Sequence, residues 1–211
     1  MYFSSSLMRL KEINDMARFF LLLTPSSFII IFSLTIYLTY KRLGQIPPHK
    51  HDFRTFLLVS LSIIWIFITS LITFYPKLGT YIILIDFMLN PLIVLLGALF
   101  SLIAIILMFL GFLSMGDSFR MGIPDTTENR SQKLVTSGIF RHIRNPGFLG
   151  LDFAVCGTFF LAPGIVTLIL MISTWIIFHL QILDEERYLL RVHGEKYIEY
   201  KQLTGRYFPK I

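Results

Sequence analysis

The expected fold is all-α: a polytopic helical membrane protein with about five transmembrane helices, the last two folded as a helical hairpin. Three observations predict it. Hydrophobic residues make up 55% of the 211-residue chain and charged residues 15%, with a mean hydropathy of +0.69, whereas soluble domains carry about 25% charge. Apolar runs exceed 18 residues, and in lipid only helices or closed barrels satisfy their own backbone. The alternation that a barrel needs is missing. The length suits a single domain, residues 1–211.

Each element follows from local signals. Residues 6–18 read as a short amphipathic helix in the interface, with Ser6 as N-cap and Leu7, Leu10, Ile13, Met16 and Phe20 at three- to four-residue spacing. A first span covers 19–40 and stops at Lys41-Arg42, before the polar linker GQIPPHKHD. A second covers 53–75, and Pro76-Lys77-Leu78-Gly79 turns the chain. The next apolar stretch, Thr80 to Leu113, would be about 51 Å long as one helix, too long for a ~30 Å hydrocarbon core. Asn90-Pro91 divides it, so the third span is 91–113, preceded by an approach segment that holds Asp86. Phe148 to Leu180 is too long by the same arithmetic. Ala162-Pro163-Gly164 is strong turn chemistry near its middle, giving a hairpin of short spans, 148–161 and 165–183.

Charge sets the sidedness. Five spans put Arg9, Lys11, Arg18 and Lys77 on one face and the other fifteen Lys and Arg on the opposite face, with 41–54, 114–147 and 184–211. Four spans would divide them almost evenly, so the positive-inside rule favours five. The segments 114–147 and 184–211 are then both cytoplasmic. The net charge of +6 is accounted for in this way without nucleic acid as a partner. Cys156 is the single cysteine, which excludes an intramolecular disulfide. The five histidines are scattered without ligand spacing, so no metal site is expected.

The chemistry is concentrated in two cytoplasmic clusters. In QKLVTSGIFRHIRNPGFLG, residues 132–150, Ser137-Gly138 and Asn145-Pro146-Gly147 each offer a bend, with Arg141, His142 and Arg144 between them. Phe140 and Phe148 form a candidate aromatic wall, and Gly150 permits a ligand or helix to approach the backbone. A loop contacting anionic headgroups is the plainer reading. Asp184-Glu185-Glu186 ends the last span, and Leu189, Leu190 and Val192 carry the helix on to Gly194. Acids so near lipid tend to have a partner or ligand. Neither a Gly-rich dinucleotide turn nor a P-loop, a G-x-S-x-G elbow or an H-E-x-x-H helix occurs.

Four blocks carry a resemblance to a known family. Gly116-Asp117-Ser118-Phe119-Arg120-Met121-Gly122-Ile123 is similar to Gly-x-Ser-Trp-Arg-x-Gly, and Leu134-Val135-Thr136-Ser137-Gly138-Ile139-Phe140 to Leu-Val-Thr-x-Gly-x-Tyr. Arg144-Asn145-Pro146-Gly147-Phe148-Leu149-Gly150 resembles Arg-His/Asn-Pro-x-Tyr-x-Gly. Glu185-Glu186 with Leu189, Gly194, Tyr197, Tyr200 and Pro209 resembles Glu-Glu-x-x-Leu…Gly-x-x-Tyr-x-x-Tyr…Pro. The chain thereby resembles the isoprenylcysteine carboxyl methyltransferase family, related to the phospholipid methyltransferases. The resemblance implies a membrane methyltransferase that binds S-adenosylmethionine in a cytoplasm-facing pocket, closed by the C-terminal segment. By position, Lys133, Leu134, Val135, Phe140, Asn145, Pro146, Phe148, Gly150 and Glu185 would contact the cofactor, and Arg144, Glu185 and Glu186 would serve catalysis. Phe140 and Phe148 stand for tyrosines, and Gln181 stands for an arginine that contacts substrate in eukaryotic members. The implied partner is a lipophilic acceptor reached from the membrane lipids: a prenylcysteine carboxylate, a lipid amine or a thiol. A non-catalytic scaffold or transporter subunit of the same fold is the alternative.

Overall fold

The computed structural model describes residues 2–43, 53–75, 90–118 and 133–210. The linker after Arg42-Leu43, the turn 76–79, the approach segment with Asp86, and Phe119–Ile123 of the first family block lie outside the described residues. Within them the chain is helical throughout, with one isolated parallel bridge, Ile143 to Gly205. Helices α1 (Tyr2–Leu43), α2 (Phe53–Phe74), α3 (Pro91–Met115), α4 (Pro146–Leu161), α5 (Ile165–His193) and α6 (Glu195–Leu203) are joined by short 3-10 turns at Gly116–Ser118 and Gly138–Arg141.

Four of these helices are long and apolar enough to cross a membrane, namely α1 from Glu12, α2, α3 and α5, while α4 is a shorter apolar helix of 16 residues. At 1.5 Å per residue α4 is about 24 Å long, short of a ~30 Å core. The hairpin forms where expected: α4 and α5 meet at Ala162-Pro163-Gly164. The N-terminal expectation needs correction. Residues 6–18 are not a separate interfacial helix capped by Ser6, because α1 runs unbroken from Tyr2 to Leu43 with Pro25 inside it. Proline inside an apolar helix is tolerated when neighbouring groups re-satisfy the backbone, so Pro25 does not punctuate here as Pro163 does.

Helix limits have visible causes. Asn90 caps α3, its side-chain oxygen accepting from the Leu92 N–H at 2.9 Å, and Pro91 fills the first position. Helix α3 stops at Gly116 and α5 at Gly194, both with positive φ. Asn145-Pro146-Gly147 is a helix start and not a second bend, since Pro146 opens α4.

The centre of the bundle is a seam of small residues between α3 and α4. A Cβ on Gly157 would lie 2.7 Å from Ser101 Oγ and 3.0 Å from Gly97 O, and one on Gly97 would meet Leu161 at 2.8 Å. Apolar collapse cannot drive helices together in lipid, so close backbone approach and dispersion do it. Trp65 of α2 joins by donating to Thr158 Oγ1 at 2.9 Å. Two apolar clusters fill the bundle, one at the hairpin end and one about halfway along it. Ala17, Leu21, Ile72, Val94, Leu161 and Ala162 pack at the hairpin end. Trp65, Ala104, Met108, Ala154, Val155 and Leu170 pack at mid-bundle. The start of α4 and the end of α5 therefore lie together, away from the hairpin turn, and bring both polar clusters to one side.

Candidate functional site

A cavity of about 580 Å³ opens at that end, within the roughly 300–1,000 Å³ typical of small-molecule sites. The loop supplies Lys133, Leu134, Val135, Phe140, Arg144, Asn145, Pro146 and Phe148, all expected from sequence. Helix α5 supplies Phe178, Gln181, Glu185 and Tyr188, a stripe at helical spacing on one face. The far half is apolar, built by Phe28, Ile29 and Phe32 of α1 with Leu58, Val59 and Ile63 of α2.

The polar half has two groups that await partners. Asn145 is buried, and its Nδ2 makes no hydrogen bond among the described residues. That leaves a donor at the cavity wall. Glu185 lies just past the apolar part of α5, which ends at residue 183, with Gln181 one turn before it on the same face. Glu185 forms no ion pair among the described residues, and burial pushes its carboxyl up to about 7.

Glu186 faces elsewhere. It does not line the cavity. Its buried carboxylate accepts from Arg206 Nε at 3.0 Å and Nη2 at 2.8 Å, and from Arg144 Nε at 3.3 Å and Nη2 at 3.2 Å. Lys201 Nζ lies 3.6 Å away. Burial alone would raise this carboxyl, but the Arg206 hydrogen bond and the charges of Arg144 and Arg206 outweigh it and hold it below its usual range. The sequence pointed to a catalytic Glu186; the geometry makes it the hub of a clamp. Arg144 is drawn into the same clamp. Its Nη1 donates to Lys201 O at 3.2 Å and to Thr204 O, so four of its five N–H groups are committed.

Further bonds tie loop to tail. Arg144 N donates to Gly205 O at 2.9 Å, and Tyr200 OH donates to Phe140 O at 2.7 Å. Gly138, at φ +61°, sits against Ser114, which accepts weakly from Ile139 N at 3.4 Å, so α3 holds the other end of the loop. Gly150 serves the fold: a Cβ there would meet Met108 at 2.8 Å and Ala104 O at 3.1 Å, so the close neighbour is helix α3 and not a ligand. His142 and Arg141 are exposed and outside the cavity.

Sequence reasoning missed several wall residues. Tyr197 and Tyr200 of α6 line the cavity and are buried; their place in the fourth resemblance block was the signal for them. The α1 and α2 contributions had no local signal, because apolar residues facing a cavity and facing lipid look alike in sequence.

The phospholipid methyltransferase family matches residues 92–196, which take in nearly all of α3 and the whole of α4 and α5. Among characterised proteins, the protein-S-isoprenylcysteine O-methyltransferase of Schizosaccharomyces pombe is 30% identical over 114 residues, covering 48% of each chain. The protein of the same name from Saccharomyces cerevisiae is 32% identical over 90 residues, covering 42% of this chain and 38% of its own. The chain thus spans about half or less of the length of these relatives. Its apolar helices of spanning length make it an integral membrane protein. Over its cavity-bearing core the chain is thus similar to the phospholipid methyltransferase family, and over about half of its length to protein-S-isoprenylcysteine O-methyltransferases.

Proposed function

We propose that this protein is an S-adenosylmethionine-dependent membrane methyltransferase acting on the carboxylate of a lipophilic acceptor of the prenylcysteine type, with its cofactor site facing the cytoplasm. The observation that carries this is the two-part cavity, which joins a polar end holding Glu185 and Asn145 to an apolar groove between α1 and α2.

The residues present suit the cofactor. An unpaired carboxylate suits an ammonium, the unpartnered Asn145 Nδ2 suits an acceptor atom, and Phe140, Phe148 and Tyr197 offer apolar and aromatic surface. When bound, S-adenosylmethionine supplies an electrophilic methyl group on a sulfonium sulfur. The protein's part is positioning and exclusion of water, which for well-aligned reactants contributes about 7–11 kcal/mol. Leu58, Val59 and Ile63 would hold the apolar chain of the acceptor, leaving its polar end between Gln181 and Phe148. A carboxylate acceptor needs no general base, so Glu185 acts there by charge alone.

One observation favours a second reading. Gln181 supplies no positive charge where the family has arginine, and a carboxyl near 7 at Glu185 could take a proton from an amine acceptor. The test is methyl transfer from labelled S-adenosylmethionine by the purified full chain to a farnesylated cysteine and to an aminolipid. Label in the base-labile ester of the first supports the proposal, and label confined to the second replaces it. No binding at millimolar cofactor by calorimetry sinks both.

A further inference from the structure

A second polar cluster lies on α4, α5 and the tail, outside the cavity. It comprises Asp152 and Cys156 of α4, Trp175 and His179 of α5, and Tyr207 of the tail, and none of them lines the cavity. His179 Nδ1 is 2.6 Å from Tyr207 OH. Trp175 lies beside the Cys156 thiol, and Asp152 is close enough for its charge to act on both Cys156 and Tyr207. Asp152 itself is half-buried, and its Oδ1 has no hydrogen-bond partner among the described residues. No basic side chain among them forms an ion pair with it either.

Asp152 is the seventh residue of α4, about 9 Å along the axis from Pro146. A carboxyl at that depth is costly unless something pairs with it. Its surroundings open to the bilayer: His179 is exposed, Trp175 and Ile176 are 47% and 56% exposed, and Ile172 continues the stripe. A tight ion pair here must come from outside the described chain, and the donor must be able to follow an apolar helix face.

We propose that Asp152, His179 and Tyr207 form a lipid site that holds the ammonium headgroup of a phosphatidylethanolamine molecule, whose acyl chain lies along Ile172 and Ile176. The lipid is a bound companion and not a methyl acceptor, since none of the three residues that hold its headgroup lines the cavity. The Asp152 carboxylate meets the ammonium, and His179, with Nδ1 engaged by Tyr207, has Nε2 left for the phosphate.

The test is native mass spectrometry of the full chain, released from detergent with equimolar phosphatidylethanolamine and phosphatidylcholine of identical acyl chains. We expect one tightly retained lipid, with ethanolamine preferred about fivefold, the ratio that about 1 kcal/mol produces. Asp152→Asn should bring the ratio to about one, and Tyr207→Phe should lower it partway, with monodispersity and melting temperature as the controls on folding. Equal retention of both lipids by the wild type overturns the proposal, as does a preference that survives Asp152→Asn. Equal thermal stabilisation by soluble phosphoethanolamine would also overturn it, as would a lipid-free dimer that Asp152→Asn dissociates. Should Asp152→Asn not fold, an unchanged ratio in Tyr207→Phe overturns it. Because the readout needs no methyl donor, it stands apart from the proposed reaction.

Discussion

Glu185 and Glu186 are adjacent on α5, yet the regions they serve are built on opposite principles. Glu186 is enclosed by Arg144, Arg206 and Lys201, and its charge is fully matched. Glu185 looks into a cavity with Gln181 as neighbour and no ion pair among the described residues. A step of about 100° around a helix separates them, and it turns one acid into architecture and leaves the other free for a ligand. In an acid pair at the end of a span, chemistry belongs to the member whose charge the fold leaves unmatched.

The comparison can be broken most decisively at Glu186. Glu186→Ala leaves the buried Arg144 side chain and the partly exposed Arg206 without their carboxylate, which costs about 3–5 kcal/mol. A large fall in melting temperature is expected, and wild-type stability would refute the clamp. Next is the α3–α4 seam, where Gly157→Leu should cost about 1–3 kcal/mol by overpacking. Cofactor affinity measured below the transition should be retained, which separates fold from site.

Glu185→Gln should leave melting nearly unchanged and weaken cofactor binding about tenfold, the loss of one charge-assisted bond of roughly 1.5 kcal/mol. The pH behaviour separates the pair further. The Glu185 carboxyl is raised in the folded state, so the fold binds its proton more tightly than the unfolded chain does. Its contribution to stability is present at low pH and falls as pH rises from about 4.5 to about 7, while affinity for a cationic ligand rises over the same window. Glu186 is lowered, so its contribution is present above the ordinary carboxylate value and fades as pH falls through its folded one. Titrations of melting temperature in the two Gln variants should show these opposite slopes removed one at a time; a shared slope would contradict the distinction. The smallest effect is at Asn145. Asn145→Ala should weaken cofactor binding severalfold and leave stability flat or slightly higher, because the donor it removes is buried without a partner.

Much of this arrangement was legible in the residues because it rests on local punctuation. Pro163-Gly164 marks the hairpin turn, Asn90-Pro91 starts α3 and Gly194 stops α5 through interactions confined to a few neighbours. Charge and bends drew attention to the loop, and the family resemblance then picked out its residues from Lys133 to Phe148 through motifs that are equally local. What stayed hidden is long-range. Arg144 can meet an acid only across the 42 residues to Glu186, and nothing in the sequence says that Glu186 and not Glu185 is the one it finds. The expected break near residue 18 failed because nothing local ends the helix there: α1 runs on unbroken from Tyr2 to Leu43.

The glycine seam has a consequence for how such a protein can diversify. Gly97, Gly150 and Gly157 sit where even a methyl group would collide with the facing helix or its side chains, so α3 and α4 have almost no freedom to vary. The polar half of the cavity, where we propose the cofactor binds, hangs from that pair through Phe140, Asn145 and Phe148. The apolar half does not: Ile29, Val59 and Ile63 come from α1 and α2, outside the seam. An engineer seeking a new acceptor would therefore recode the first two helices and inherit the donor chemistry intact.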